Sequence, residues 1–504
     1  MSGTTLQDAL AGQAHRERAT VTFGTSATRE SLTYPAFAEQ IAAAAGGFAR
    51  QGVSPGDRVM LRIGSSREDV VALLGLMHLG AVPVSVKPRV PGAIIGQYFA
   101  MVTRQQNVRH SFRVAGHDLT ELRLVPHRGA SPEPAPGAPE DLAFIQYTSG
   151  STGLPRPIPL SHRAVLGNIG AILGVSGMRP GHAGLIALPL HHDMGLIGVL
   201  ASLVAGIDLV IEEPGAFLRR PLAALRLLRG ADRAHSAFPD SMLRYLAARL
   251  TTAAGQRAPE PDLLSGWRTV FCGAEPIRPR TISTYLDATA PWGFDPTALV
   301  FCYGLAEASL MATSHRYVDA ATSFHTDGPA TTACLGTPLP GLDLRVVDES
   351  GRPCAEAEVG SVQLRGPTLF AGYDGATDHR TTWFDTGDLG SLRPGGLHLS
   401  GRRGDRVTVN GANVFVTDIE QVVTMLPGVA DCVALPYREA FAVMVVTERG
   451  RQVDTVEIGA RIAADFGTAP ETVLEIPHSA VTRTASGKPA RTFMAAQLEK
   501  SLPG

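Results

Sequence analysis

Lysine is almost absent from this chain. Only three occur among its 45 basic residues, Lys87, Lys488 and Lys500, and the other 42 are arginine. Guanidinium is the default cation here, so a lysine kept inside a glycine-containing motif carries more information than usual. Cysteine is sparse too: Cys272, Cys302, Cys334, Cys354 and Cys432 lie far apart, with no C-x-x-C pair and no histidine cluster beside them. That argues against a disulfide framework or a structural zinc and makes a reducing, cytoplasmic setting the expectation. Excess charge of either sign is also missing, with 45 basic residues against 47 acidic ones. A nucleic-acid or anionic-membrane partner needs a basic face, so neither is expected. The N-terminus lacks the basic start and apolar run of a signal peptide. The most membrane-like stretch, residues 184–211, is interrupted by His191-His192-Asp193. Neither side reaches the roughly 20 apolar residues of a spanning helix, so the stretch reads as buried core with no membrane span.

What the chain does contain is alternation. Between residues 32 and 86, "LTYPAFAEQIAAAAGGFARQG" has helical spacing, "GDRVMLRI" reads as a strand, "REDVVALLGLMHLG" as a helix and "AVPVSV" as a buried strand. Such a pattern predicts parallel sheet with helices packed on its faces. A proline-rich connector at 128–140 precedes the strand "LAFIQYTS", and βα units continue through 184–310. From 336 to 400 the texture changes to short strands and turns. After "GRRGDRVTVNGANV" at 401–414 the chain reads as a compact α+β unit. The expected fold class is therefore α/β. A large N-terminal portion of parallel βα units with a small β-rich subdomain would occupy 1–403, and a small mobile α+β domain 404–504. Gly404 would be the hinge, since glycine permits backbone angles that other residues avoid.

The stretch "YTSGSTGLPRPIPLSH" runs from Tyr147 to His162. Thr148, Ser149, Gly150, Ser151, Thr152 and Gly153 form a loop of small hydroxyl residues and glycines between a strand and a helix. That arrangement aims backbone N–H groups and hydroxyls at an anionic oxygen. The Gly-Lys-Ser/Thr ending of a Walker A loop is absent, which disfavours a generic P-loop ATPase. Taken alone, such a loop is more often an ordinary surface turn. Other segments alter that reading: "LPLHHDMGLIG" (188–198), "FCGAEPIRP" (271–279), "FCYGLAEASL" (301–310), "WFDTGDLG" (383–390), "GRRGDRVTVNGANVFVTDIE" (401–420) and "RTASGKPAR" (483–491). Together and in this order they resemble the adenylate-forming superfamily of acyl-CoA synthetases, luciferases and peptide-synthetase adenylation domains. "HDMGLIG", "GAEP" and "YGLAEAS" look most like the fatty acyl-AMP ligase branch.

The resemblance implies an enzyme that joins a hydrophobic carboxylic acid to the α-phosphate of ATP and passes the acyl group from acyl-AMP to a thiol. Attack of one anion on another demands charge neutralisation, by Mg2+ or by cations placed on the oxygens. By the same resemblance, Glu307 is the Mg2+ carboxylate and Tyr303, followed by Gly304, stacks on adenine. Gly273, Ala274 and Glu275 line the adenine, and Asp388 with Arg402 binds the ribose hydroxyls. A carboxylate accepts two such hydroxyl bonds well. His192 corresponds to the family's acyl-pocket histidine, with Met194 and Phe238 as candidate walls. Lys488 reaches the carboxylate and the α-phosphate, a task suited to a compact charge on a flexible stem.

Two departures qualify this picture. The family's phosphate loop usually continues Pro-Lys-Gly, where this chain has Pro155-Arg156-Pro157. Pro157 removes a backbone N–H and fixes φ, and it pushes Arg156 toward an extended conformation. Lost contacts worth several kcal/mol would slow adenylation steeply, at about 1.36 kcal/mol for each tenfold. The chain then thioesterifies an acyl-AMP supplied by a companion adenylating enzyme, or it runs both steps itself. The second departure is the short segment after "YGLAEAS", which tilts the acceptor toward coenzyme A over a carrier-protein phosphopantetheine. Three readings stay open: an acyl-CoA ligase, a fatty acyl-AMP ligase serving a carrier protein, and a catalytically silent adenylate-binding protein. The departures suggest natural-product biosynthesis.

Overall fold

The computed structural model describes residues 4–24, 29–86, 92–114, 119–125, 133–147, 156–256, 258–373, 377–409, 412–438, 440–482 and 489–501. Among them the expected alternation appears. The helix Tyr34–Arg50 starts where the Thr33 hydroxyl accepts from the Ala36 amide. The helix Arg67–His78 starts at a capping box made by Ser66 and Asp69. The strand Val82–Val86 is buried along its whole length, as a strand covered on both faces must be.

These units build two large sheets. The first has the order Thr120–Leu122, His110–Phe112, Arg58–Arg62, Val82–Val86, Leu142–Tyr147, Pro157–Ser161, parallel except for the antiparallel last pair. The second runs Thr337–Pro338, Met311–Arg316, Leu299–Gly304, Trp267–Cys272, Ala234–Ala237, Ala183–Ile186, Asp208–Ile211, Thr20–Phe23, Glu30–Thr33. Its central strands are parallel, from Leu299–Gly304 through Thr20–Phe23. Residues 184–211 supply two of those strands and the helix Asp193–Ala205 between them, and the helix is buried on nearly every side. No helix among the described residues is long and apolar enough to cross a membrane.

The short-strand region forms an antiparallel four-stranded sheet, Asp343–Val347, Gly360–Arg365, Phe384–Arg393, Gly396–Arg402. Beyond it lie three strands, Val429–Tyr437, Ala440–Thr447 and Thr472–Glu475, with helices Val416–Thr424, Thr455–Phe466 and Arg491–Ser501. This last segment has its own apolar clusters, one around Ile419, Phe441 and Ile462, the other around Leu435, Met494 and Leu498. It touches the large sheet's helices through Arg280, whose guanidinium donates to the Thr424 carbonyl at 3.0 Å.

Gly404 sits in the short turn Arg403–Asp405. Its φ is outside the left-handed region and a Cβ there would meet nothing. In this conformation the chain does not use the freedom that glycine offers.

Candidate active site

In an open parallel sheet, ligands gather at the carboxyl ends of the strands. Three neighbouring strands end together here, at Ala237, Cys272 and Gly304. The residues just at or past those ends include Gly273, Ala274, Tyr303 and Gly304. Their backbones are tightly constrained: a Cβ at Gly304 would lie 1.8 Å from the Leu310 carbonyl, and one at Gly273 would lie 2.7 Å from that of Cys302. Ala274 adopts a φ of +66° and Ser309 one of +67°, angles that L residues hold only when their surroundings enforce them.

On one side of this ridge an apolar cavity opens between the sheet and two helices, His162–Ser176 and Asp193–Ala205. Met194, Gly198, Ala201 and Ser202 line it at helical spacing, so it follows that helix for about 12 Å at 1.5 Å per residue. His235, Ser236, Ala237 and Phe271 form the sheet wall. On the other side lies a wider, polar cleft bounded by both parts of the chain. Its lining includes Glu275, Asp388 and Arg402, and from the C-terminal part Asp418, Glu420 and Arg491. Ala274, Tyr303 and Gly304 line both spaces and are their shared wall.

The cleft's polar groups are wired to one another. The Tyr303 hydroxyl donates to Asp388 Oδ2 at 2.7 Å, and Arg402 Nε lies 3.2 Å from Asp388 Oδ1. Burial pushes the Tyr303 hydroxyl well above its usual pKa, and the adjacent Asp388 pushes it further, so it stays a donor. Glu275 accepts from the Ser241 amide and hydroxyl, at 2.8 and 2.9 Å, which anchors the helix Asp240–Gln256 to the cleft floor. Across the cleft, Glu420 Oε1 accepts from Arg491 Nη2 at 2.7 Å and from the Ala434 amide at 3.0 Å, and Asp405 lies 3.5 Å from Arg491.

Glu307 occupies a turn, Ala306–Ala308, and is buried. Desolvation raises its pKa, opposed by the Tyr373 hydroxyl, which donates to Oε1 at 2.5 Å. The guanidinium of Arg156 sits 5.3 Å from the centre of the Tyr373 ring, a cation–π distance. Pro157 opens the strand Pro157–Ser161 opposite Tyr147. That strand is at the sheet edge and Pro157 is its first residue, two of the places where a sheet tolerates proline.

The structure thus brings Ala274, Glu275, Tyr303, Gly304, Asp388 and Arg402 to one cleft and Met194 to the adjoining cavity, while Gly273 sits beside Ala274 with its backbone packed on Cys302. Thr148, Ser149, Gly150, Ser151, Thr152, Gly153 and Lys488 lie outside the described residues. Phe238 needs correcting, because it does not line the cavity. Its ring packs against Phe217 and Trp267, at 5.7 and 6.2 Å, and is fully buried. Phe238 follows the end of the strand Ala234–Ala237, and its ring turns into the core against Phe217 and Trp267. His192 is also displaced from the expected wall. It is the N-cap of the helix Asp193–Ala205, with its ring 4.5 Å from that of His191, and the cavity lining begins at the next residue, Asp193.

Sequence reasoning missed Tyr373, His235, Asp418, Glu420 and Arg491. The last three stand inside or beside the quoted motifs 401–420 and 483–491, a signal that they share the cleft. Tyr373 in "LFAGYDG" and His235 in "RAHSAF" carried no such signal.

Comparison with known proteins agrees with this geometry. The long-chain-fatty-acid–AMP ligase FadD32 of Mycolicibacterium smegmatis is 27% identical over 558 aligned positions, covering 90% of this chain and 87% of that protein. The medium-chain-fatty-acid–[acyl-carrier-protein] ligase JamA of Moorena producens is 26% identical, covering 92% and 89%. A solved structure from work on the fatty acyl-adenylate ligases of E. coli and L. pneumophila superposes with a TM-score of 0.84 at 26% identity, over 99% of this chain and 98% of that one. A family model described as AMP-binding enzyme matches residues 8–374, nearly three quarters of the chain, and the protein belongs to that adenylate-forming family of ligases.

Proposed function

We propose that this enzyme activates a hydrophobic carboxylic acid as its acyl-AMP and transfers the acyl group to the thiol of coenzyme A. The carrying observation is the shared wall: Ala274, Tyr303 and Gly304 separate an apolar cavity from a polar cleft at the ends of three strands. An acyl–nucleotide mixed anhydride has one apolar and one polar half, joined at a single phosphate. Laid across this wall, its acyl chain fills the cavity and its ribose meets Asp388 and Arg402. Asp388 has accepted two bonds, of about four that a carboxylate takes, which leaves room for ribose hydroxyls. Glu307 suits Mg2+, which is usually held by one or two carboxylates together with substrate phosphates. When bound, Mg2+ would supply charge neutralisation at the phosphates. This chain's own part is to hold Glu307 in place through Tyr373. Lys488 is proposed as the cation at the reacting carboxylate, and Gly404 as the hinge on which residues 404–504 bring it there.

Arg156 bears on whether both steps run. Its charge packs on the tyrosine that holds Glu307, so the substitution of arginine for lysine leaves a cation beside the proposed metal carboxylate. That supports full two-step ligation. The shortness of the segment 311–336 favours coenzyme A. The carrier-protein reading is favoured by the printed activity of JamA. Two assays on one preparation decide. Carboxylate-dependent exchange of pyrophosphate into ATP is expected, and so is thioester formation from synthetic acyl-AMP with coenzyme A. Thioester without exchange would restrict the enzyme to the second step and call for a companion adenylating enzyme. Silence in both would leave a protein that only binds adenylates.

A further inference from the structure

We propose that Met178 closes the far end of the apolar cavity and limits the acid to a medium-length chain of about ten carbons. This rests on the reading of that cavity as the acyl site. Two helices measure its depth. Asn168, on the helix His162–Ser176, lies level with the shared wall. Its side-chain amide donates to the Met311 carbonyl at 2.7 Å and accepts from the Met311 amide at 3.2 Å, and Met311 pairs with Gly304. Further down the same helix, the Ser176 carbonyl lies 3.5 Å from the Thr269 hydroxyl. Thr269 is in register with His235, the strand residue of the lining farthest from the carboxyl ends. From Asn168 to Ser176 the helix advances about 12 Å.

The other helix, Asp193–Ala205, agrees. It links the parallel strands Ala183–Ile186 and Asp208–Ile211, so it runs against them and starts at their carboxyl ends. A Cβ on Gly198 would lie 2.8 Å from Ile186 Cδ1, at the end of its strand. Deeper in, a Cβ on Gly184 would lie 3.6 Å from Ser202 Oγ, and Gly184 is a register partner of His235. Met194 to Ser202 again spans about 12 Å. A C–C bond of about 1.5 Å, zigzagged, advances roughly 1.25 Å per carbon, so about ten carbons fill that depth.

Of the lining residues near the deep end, Ile172, Ala201, Ser202 and His235 are buried, whereas Met178 is partly exposed. Met178 thus has the cavity on one side and solvent on the other. It sits just past the helix His162–Ser176, which Gly177 ends with a φ of +65°, and its amide donates to Ser176 Oγ at 3.2 Å. The loop that carries it is tied back to the strand. The His182 amide donates to the Arg179 carbonyl at 3.1 Å, and His182 Nδ1 lies 3.0 Å from His235 Nε2. An unbranched thioether suits such a plug, because it fills an irregular gap without strain. A chain longer than the cavity must displace Met178 or fold back on itself, and either loses the burial that its shorter methylenes gained.

The test uses the full chain and sulfamoyl-adenosine analogues of butanoic, octanoic, decanoic and tetradecanoic acid. Affinities are measured by calorimetry for wild type, Met178→Ala and Met178→Trp, with melting curves to confirm folding. In wild type, affinity is expected to climb from butanoyl to decanoyl and then to drop roughly tenfold for tetradecanoyl. Met178→Ala should open the end and recover most of that tenfold for tetradecanoyl. Met178→Trp should shift the limit the other way, weakening decanoyl relative to octanoyl. Should one variant fail to fold, the other decides. Tetradecanoyl bound by wild type as tightly as decanoyl overturns the proposal, and so does a limit that stays put in a folded variant. In both of those cases tight binding of the shorter analogues leaves the adenylate reading standing. If no analogue binds at all, that reading falls, and this inference falls with it.

Discussion

The two halves of the site are built on opposite principles. The cavity proposed for the acyl chain is lined mainly by apolar side chains, and its buried titratable ring, His235, is held neutral by its surroundings. The cleft beside it is made of charges that neutralise one another: Asp388 with Arg402, Glu420 with Arg491, Asp405 with Arg491. Apart from Asp193 at its edge, the cavity lining among the described residues carries no acidic or basic side chain other than His235, because desolvating an ion is expensive. The cleft keeps Asp388, Glu420 and Asp405 because each has a guanidinium beside it. A small apolar half thus sits beside a charged half without either compromising the other, separated by a wall made of Ala274, Tyr303 and Gly304.

Breaking a pair in the cleft should therefore cost most. Arg491→Met would leave the buried Glu420 carboxylate alone. It is expected to destabilise the C-terminal unit by about 3–5 kcal/mol, read as a lowered denaturation midpoint. Asp388→Asn should spare stability but weaken the grip on ribose and on Tyr303. Adenylate formation would fall roughly 100-fold, mostly in the KM for ATP. A stability loss as large as that of Arg491→Met would show that Asp388 is part of the scaffold.

Acid and base separate the halves next. His235 is pushed down to about 3, chiefly by burial and then by His182, Arg233 and Arg316. An unfolded chain takes up that proton near the ordinary histidine value and the folded one does not. Stability is therefore lost as pH falls from about 6.5 toward 3, by up to about 1.4 kcal/mol per unit. Asp418, in the cleft, is pushed up to about 7 by burial and then by Glu420. The folded chain keeps this proton where the unfolded one has released it, so stability from this group is lost as pH rises from the usual carboxylate range toward 7. His235→Gln should flatten the acid limb of a stability–pH curve and Asp418→Asn the neutral limb. If one substitution flattened both, the halves would be coupled. The smallest effect belongs to Tyr373→Phe, which removes one hydrogen bond to Glu307. About a tenfold loss in ATP–pyrophosphate exchange is expected, with thioester transfer from acyl-AMP unchanged.

Elements were legible in the sequence because their signals are local. The 3.6-residue spacing of 34–50, the apolar run at 82–86 and the cap at Ser66 each act within a few residues. The motifs that share the cleft were legible too, as resemblance. Phe238 was misread because the sequence shows an aromatic beside the strand end without showing which face it takes. The pairing of His182 with His235, 53 residues apart, and of Glu307 with Tyr373, 66 apart, leaves no periodic trace at all.

By itself the sequence determined the alternating βα architecture, the chemical family and the residue types at the proposed ribose and metal positions. Short-range propensities and ordered motifs suffice for those. Only the tertiary structure decided which side of each strand meets the cavity, which carboxylate is paired with which guanidinium, and that one thin wall divides an apolar space from a charged one. Those depend on register and packing between distant segments, where a shift of one residue moves a side chain to the opposite face.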